Sequence, residues 1–177
     1  MTQLSYKSAN ELAKMVLDKE ISSSELLEYF IKRVESYNPS INAIIVKNYD
    51  EARKQARELD EKLLKGEILG ALHGVPMTVK ESYGVKNTQT TYGRPDWKDN
   101  IVKEDALSIQ RLKNSGAVIF GKTNVPFNLA DFQSYNDIYG TTNNPWNLAK
   151  VPGGSSGGSA AALAAGLTGY ETGSDIG

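Results

Sequence analysis

Two glycine pairs flanking a pair of serines, with an alanine-rich run directly behind them, constrain this chain more than any other stretch: residues 151–169 are VPGGSSGGSAAALAAGLTG. Glycine and serine alone are the composition of a flexible linker. Here they run without interruption into SAAALAAGL, whose small residues favour a closely packed helix. The glycines are therefore expected to bring backbone against backbone or ligand, at positions where a side chain would not fit.

Two familiar glycine motifs fit this segment poorly. A phosphate-binding loop of the G-x-x-x-x-G-K-[ST] type needs a lysine to meet the phosphates, and no lysine follows these glycines. GGSSG does match G-x-S-x-G, the elbow on which α/β-hydrolases present a nucleophilic serine. Those enzymes take their acid and then their histidine from later in the chain. The one histidine, His73, lies far upstream, and after Gly158 only Glu171 and Asp175 resemble a base. A Ser-His-Asp triad is set aside. One histidine and no cysteine also speak against a catalytic zinc, and the absence of cysteine removes disulfides and thiol nucleophiles. No metal and no cofactor is expected.

A serine can instead be activated by a neutral lysine, if burial depresses the lysine pKa far enough. Most lysines here stand in charged helical or polar stretches and are expected to face water. Lys80 does not. It ends GVPMTVK, where Val75, Met77 and Val79 alternate with Pro76, Thr78 and Lys80, so it should project from the end of a half-buried strand. There is no S-x-x-K, so a β-lactamase type of Ser-Lys pair is excluded and any serine partner must be distant in sequence.

The remaining pattern places these motifs in an α/β fold. Ser8 with Glu11 and Ser22 with Glu25 fit capping boxes that open two helices. Leu26, Leu27, Phe30, Ile31 and Val34 form the buried stripe of the second, which NPSINAIIV is expected to break before supplying a short strand. A charged helix from about Asp50 to Lys65, with Ala52, Ala56, Leu59 and Leu63 on one side, should lie on the surface and close at Gly66. The strand VPMTVK, a helix over about 105–114 and the strand AVIFG then alternate as a layered α/β fold requires. Residues 122–150, rich in Asn, Thr, Pro and Tyr, read as a long ordered loop of the kind that lines sites. One domain is expected, with amino-terminal helices over 8–65 and an α/β core over 68–177. Twenty Lys and Arg against 21 Asp and Glu leave no field for nucleic acid or an anionic membrane. The first thirty residues carry Lys7, Glu11, Lys14, Asp18, Glu20 and Glu25 among their charges and no apolar block, so no signal peptide or spanning helix is expected and the reading is of a cytoplasmic protein.

Three blocks taken together resemble the amidase signature family: GVPMTVKESYGV (74–85), TNVPFNLADFQSYNDIYGTTNNPWN (123–147) and VPGGSSGGSAAALAAGLTGYETGSDIG (151–177). The resemblance covers essentially the whole chain. It implies the family's fold, helices layered on both sides of a mixed central sheet, incomplete in this chain, and hydrolysis of a small-molecule amide by a Ser-Ser-Lys triad. Lys80 matches the family's general base and Ser155 the bridging serine that relays the proton, with a cis bond expected between Gly154 and Ser155. Ser156 matches a neighbouring serine that orients the network, and Ile176 and Gly177 match backbone donors of the oxyanion hole. Leu129 matches a position lining the acyl side, and the Asn and Tyr residues of QSYNDIYG either shape the pocket or make turns. Thr172 and Asp175 are expected to hold the glycine-rich turns through backbone bonds.

The family's nucleophilic serine would follow two residues after Gly177, so the 177 residues alone are expected to be inactive. An unpaired sheet edge would be met by a second copy or by a complementing carboxyl-terminal segment. Two other readings stand beside the amidase. One is the A subunit of a tRNA-dependent amidotransferase, although NVPFNLADFQSYNDIYG departs from the MDEFAMG-like stretch of those subunits. The other is a noncatalytic fragment.

Overall fold

The computed structural model of the chain describes residues 4–175. Its elements run α1 (Ala9–Leu17), α2 (Ser23–Ile41), β1 (Ile44–Lys47), α3 (Tyr49–Leu64), β2 (Pro76–Lys80), α4 (Leu107–Asn114), β3 (Val118–Thr123), the short pair β4 (Tyr135–Asn136) and β5 (Gly140–Thr141), and α5 (Gly157–Ala164).

Both expected capping boxes form, opening α1 at Ser8 and α2 at Ser22. Helix α2 has a second cap that no local pattern announces. The Asp60 carboxylate reaches across from α3 and accepts from the backbone N–H of Ser23 at 2.7 Å and of Ser24 at 3.1 Å, and from the Ser24 hydroxyl at 2.6 Å. A negative charge on the free N–H groups of a helix start is favourable, so this contact fixes how α3 lies along α2. Ala52, Ala56 and Leu59 face inward, and most of the charged residues of α3, Asp60 apart, face water.

Helix α2 does not break at Asn38-Pro39 as its sequence suggests. It continues through Pro39 to Ile41 and ends at Asn42, which adopts a left-handed conformation with φ 56°. A proline in the last turn forgoes one backbone bond, and Asn38 compensates for the irregular exit. Its amide donates to the Ile44 carbonyl at 2.9 Å, while its Oδ1 accepts from the N–H groups of Ala43 and Ile44, each at 2.9 Å. The chain thus turns directly into β1.

The sheet has the order β1-β3-β2, with β1 antiparallel and β2 parallel to β3, so it is mixed as expected. Strand β2 is buried on both faces, not one. On one face Phe30, Val75, Val118, Phe120 and, from α5, Ala161 and Ala162 belong to the larger core; on the other Met77, Val79, Ile109 and Ile119 form a second core beneath α4. The result is an α/β fold with helices on both sides of the sheet. After α5 the chain returns along the free edge of β2, where the N–H groups of Thr78 and Lys80 donate to the carbonyls of Tyr170 and Thr172, each at 3.2 Å. Among the described residues, no helix is long and apolar enough to cross a membrane.

Candidate active site

Strand alternation sends Lys80 to the α5 side of the sheet, at the carboxyl end of β2. There its Nζ lies 2.6 Å from the Ser155 Oγ, although 75 positions separate the two residues. The same nitrogen donates to the Ser174 carbonyl at 3.1 Å and to its hydroxyl at 2.9 Å. Lys80 has no exposed surface. Burial pushes its pKa below the ordinary 10.5, opposed only in part by the negative charge of Asp175. Burial thus makes the charged form of this amine less favourable than it is in water.

Ser155 stands on the turn before α5, and the Gly154–Ser155 peptide bond is cis, as the resemblance implied. The turn is built by close backbone contacts. A Cβ on Gly154 would lie 2.6 Å from the Asp131 carbonyl oxygen, and one on Gly158 would lie 2.4 Å from the Asn124 nitrogen. The glycine-serine segment is therefore a packed wall between the loop that follows β3 and the helix, not a linker. Ser134 closes it from the side: its hydroxyl donates to the Gly153 carbonyl at 3.1 Å and accepts from Gly157 N–H at 3.0 Å.

Ser156 joins the other half of the network. Its hydroxyl donates to the Ser174 carbonyl at 3.0 Å and accepts from Ser174 N–H at 3.1 Å. Lys80, Ser155, Ser156 and Ser174 thus form one connected set, whose serines line an open concavity of about 370 Å³ with Pro152, Gly154 and Asp175. Leu129 does not join it directly. It lies in the turn Phe127–Leu129 with φ 59°, a few residues before the backbone that packs on Gly154. Asn136 makes turns: its side chain binds the Val125 carbonyl and the N–H groups of Ile138 and Tyr139. Thr172 contributes its backbone to the β2 edge, while its buried hydroxyl has no hydrogen-bond partner. Ile176 and Gly177, the expected oxyanion donors, lie outside the described residues.

Sequence reasoning missed one exposed member of this set, Ser174, and two buried groups near it, Glu171 and Lys122. Ser174 lies inside the GSDIG block, where the alternation of a strand-like edge could have pointed it at Lys80. Glu171 is fully enclosed by hydroxyls from β2, β3 and α5 and by Thr172 N–H, and burial pushes its carboxyl up to about 8. Lys122 corrects the expectation that Lys80 alone escapes the surface. It continues the apolar run of β3, is equally buried, and has its pKa pushed down to about 8 by burial. The unbroken run AVIFGKT was the available signal, since a strand covered on both faces buries every position. His73 is buried too, with Nδ1 accepting from Leu69 N–H at 3.2 Å and Nε2 facing the Leu59 carbonyl at 3.1 Å, away from this site.

Comparison with known proteins points the same way. Residues 25–177 match the family described as Amidase. An acylamidase of Rhodococcus erythropolis is 42% identical over 97% of this chain and 36% of its own length. The A subunit of a glutamyl-tRNA(Gln) amidotransferase from Heliobacterium modesticaldum is 36% identical over 97% of this chain and 35% of its own. Among solved structures, a fatty acid amide hydrolase superposes with a TM-score of 0.93 at 34% identity, covering 98% of this chain and 31% of that one. The chain spans about a third of the length of the relatives it matches.

Proposed function

The chain belongs to the amidase family, and we propose that it carries the proton-relay half of an active site that hydrolyses carboxylic amides to an acid and ammonia or an amine. The observation that carries this reading is the 2.6 Å approach of a fully buried lysine amine to the Ser155 hydroxyl. A neutral amine has one lone pair and two N–H bonds. With the N–H bonds directed at the Ser174 carbonyl and hydroxyl, the lone pair is left facing the Ser155 hydroxyl.

In this reading Lys80 accepts the Ser155 proton as Ser155 accepts one from the nucleophilic serine that the family carries two positions beyond Gly177. That serine adds to the amide carbonyl, and backbone N–H groups including those of Ile176 and Gly177 receive the oxyanion. The proton returns by the same path to the leaving nitrogen, breaking the C–N bond. Water then enters by the reverse sequence and releases the acid. Gly154 and Ser156 hold the relay in place, and Leu129 borders the acyl group. The substrate is a small-molecule amide, and residues 1–177 form part of a single amidase domain.

The test uses the protein in which this segment continues through the nucleophile. Replacing the base should lower kcat/KM for simple amides by roughly 10²–10⁴, with Lys80→Ala and Ser155→Ala alike. Retention of activity within about threefold in Lys80→Ala would remove the lysine from the mechanism. A second reading, the A subunit of a tRNA-dependent amidotransferase, is supported by several relatives of that name at 36–39% identity. The same relay would serve it, with glutamine as the amide. Co-purification with partner subunits and glutamine-dependent transfer to charged tRNA would select it.

A further inference from the structure

Lys80 and the next residue, Glu81, face opposite sides of the sheet, and only Lys80 is used by the relay. Glu81 is just as deeply buried. Its carboxylate closes the turn at 91–92: one oxygen accepts from Thr91 N–H at 2.5 Å and the Thr91 hydroxyl at 2.8 Å, the other from Tyr92 N–H at 3.0 Å. Lys122, one strand over, holds the residues just before this turn through the Gln89 carbonyl and, at 2.7 Å, the Thr90 hydroxyl. The two charges act on each other through space, the lysine lowering and burial raising the Glu81 pKa, with burial the larger effect.

The turn they clamp leads back to the site. The Tyr92 carbonyl accepts from Asn128 N–H at 2.7 Å. Asn128 and Leu129 both adopt left-handed conformations, with φ 51° and 59°; asparagine tolerates this state and leucine does not, so the placement of Leu129 draws on contacts beyond its own preference. Two residues further on, the backbone of 131–133 abuts Gly154, beside Ser155. One continuous path thus runs from Glu81 through the Tyr92 peptide and the Asn128 turn to the serine that meets Lys80.

We propose that Glu81, compensated by Lys122, is a positioning residue that sets the distance between the acyl-side turn at Asn128–Leu129 and the Lys80–Ser155 pair, and so governs which acyl groups fit. The proposal rests on the amidase reading above for its consequence, though not for its geometry. Adjacent residues at one strand end serve two purposes: Lys80 handles the proton, while Glu81 places the wall against which the acyl chain lies.

Glu81→Gln tests this, because its amide turns a donor toward an N–H that needs an acceptor and leaves the Lys122 charge uncompensated. Two readouts separate the parts. In the 177-residue chain, hydrogen exchange at Asn128 and Tyr92 should quicken at least about tenfold in Glu81→Gln, while amides of α5 keep their wild-type protection. In the protein continued through the nucleophile, KM for amides with long acyl groups should rise about tenfold, while kcat for acetamide stays within about threefold. Glu81→Asp, which keeps the charge beside Lys122 but withdraws the carboxylate, gives a milder version of both effects and serves where Glu81→Gln does not fold. Unchanged exchange at Asn128, or a uniform fall in kcat for every amide with KM unaltered, overturns the proposal. If Lys80→Ala keeps full activity while Asn128 exchange responds to Glu81, the catalytic reading falls and the coupling stands.

Discussion

Glu171 offers the sharpest test of the electrostatics beneath this site. Its carboxyl is enclosed by the Thr78 hydroxyl, by Ser159 Oγ at 3.2 Å and Thr172 N–H at 3.2 Å, with Thr123 Oγ1 at 3.4 Å. Those donors favour the ionised form, yet burial outweighs them and lifts the pKa from 4.5 to about 8. Between these two values the folded chain keeps a proton that the unfolded chain has released. The stability this group contributes is therefore complete below about 4.5 and is lost as the pH rises through about 8, beyond which it is flat. One proton corresponds to about 1.4 kcal/mol per pH unit, or on the order of 5 kcal/mol across the whole window. Glu171→Gln imitates the protonated acid: its amide donates to the Thr78 hydroxyl, and its carbonyl takes the Thr172 N–H and the Ser159 hydroxyl. Urea unfolding of both proteins at pH 5, 6, 7 and 8 gives the difference in stability at each pH, in which every other titrating group cancels. The variant should gain on the wild type by about 1.4 kcal/mol per unit. A difference constant to within about 0.5 kcal/mol over that range would show that Glu171 is ionised in the fold and that the hydroxyls, not burial, decide its state.

Two further outcomes follow from the same geometry. If neutral Lys80 is the base, kcat/KM in the protein continued through the nucleophile rises with pH as the amine loses its proton, with a midpoint below 10.5. Asp175→Asn removes the charge that holds the midpoint up and shifts it lower still; an upward shift would show that the limb reports another group. Gly158→Ala forces a methyl to 2.4 Å from the Asn124 nitrogen, a backbone atom with nowhere to go. It should cost about 2–3 kcal/mol in urea unfolding, against less than about 0.5 for Ala160→Ser on the exposed side of α5, and equal costs would mean that α5 is not seated on Asn124.

Much of the architecture is legible because it rests on local chemistry. A serine three residues before a glutamate satisfies its own helix start, so both capping boxes can be located without knowing what the helices touch. The stripe from Leu26 to Val34 and the alternation of strand and helix between 76 and 123 are periodic, and the period names the element. Pro39 misleads because its cost is only one backbone bond, and Asn38 restores the exit through contacts five and six residues away. Lys122 escapes notice for a different reason: composition marks lysine as a surface residue, and what encloses this one is the turn at 89–90, brought over β3 from elsewhere in the chain.

Sequence by itself singled out the candidates for chemistry: a lysine closing an apolar strand, serines among glycines too crowded for side chains, and no histidine or cysteine placed to compete with them. The tertiary structure alone decided that they meet. Lys80 becomes a candidate base because β2 is covered on both faces and because the chain, having passed through α5, returns along its edge to place Ser174 against the amine. Burial and long-range approach are properties of how elements pack, and no window of sequence contains both Lys80 and Ser155, whose separation along the chain is 75 residues and whose atoms stand 2.6 Å apart.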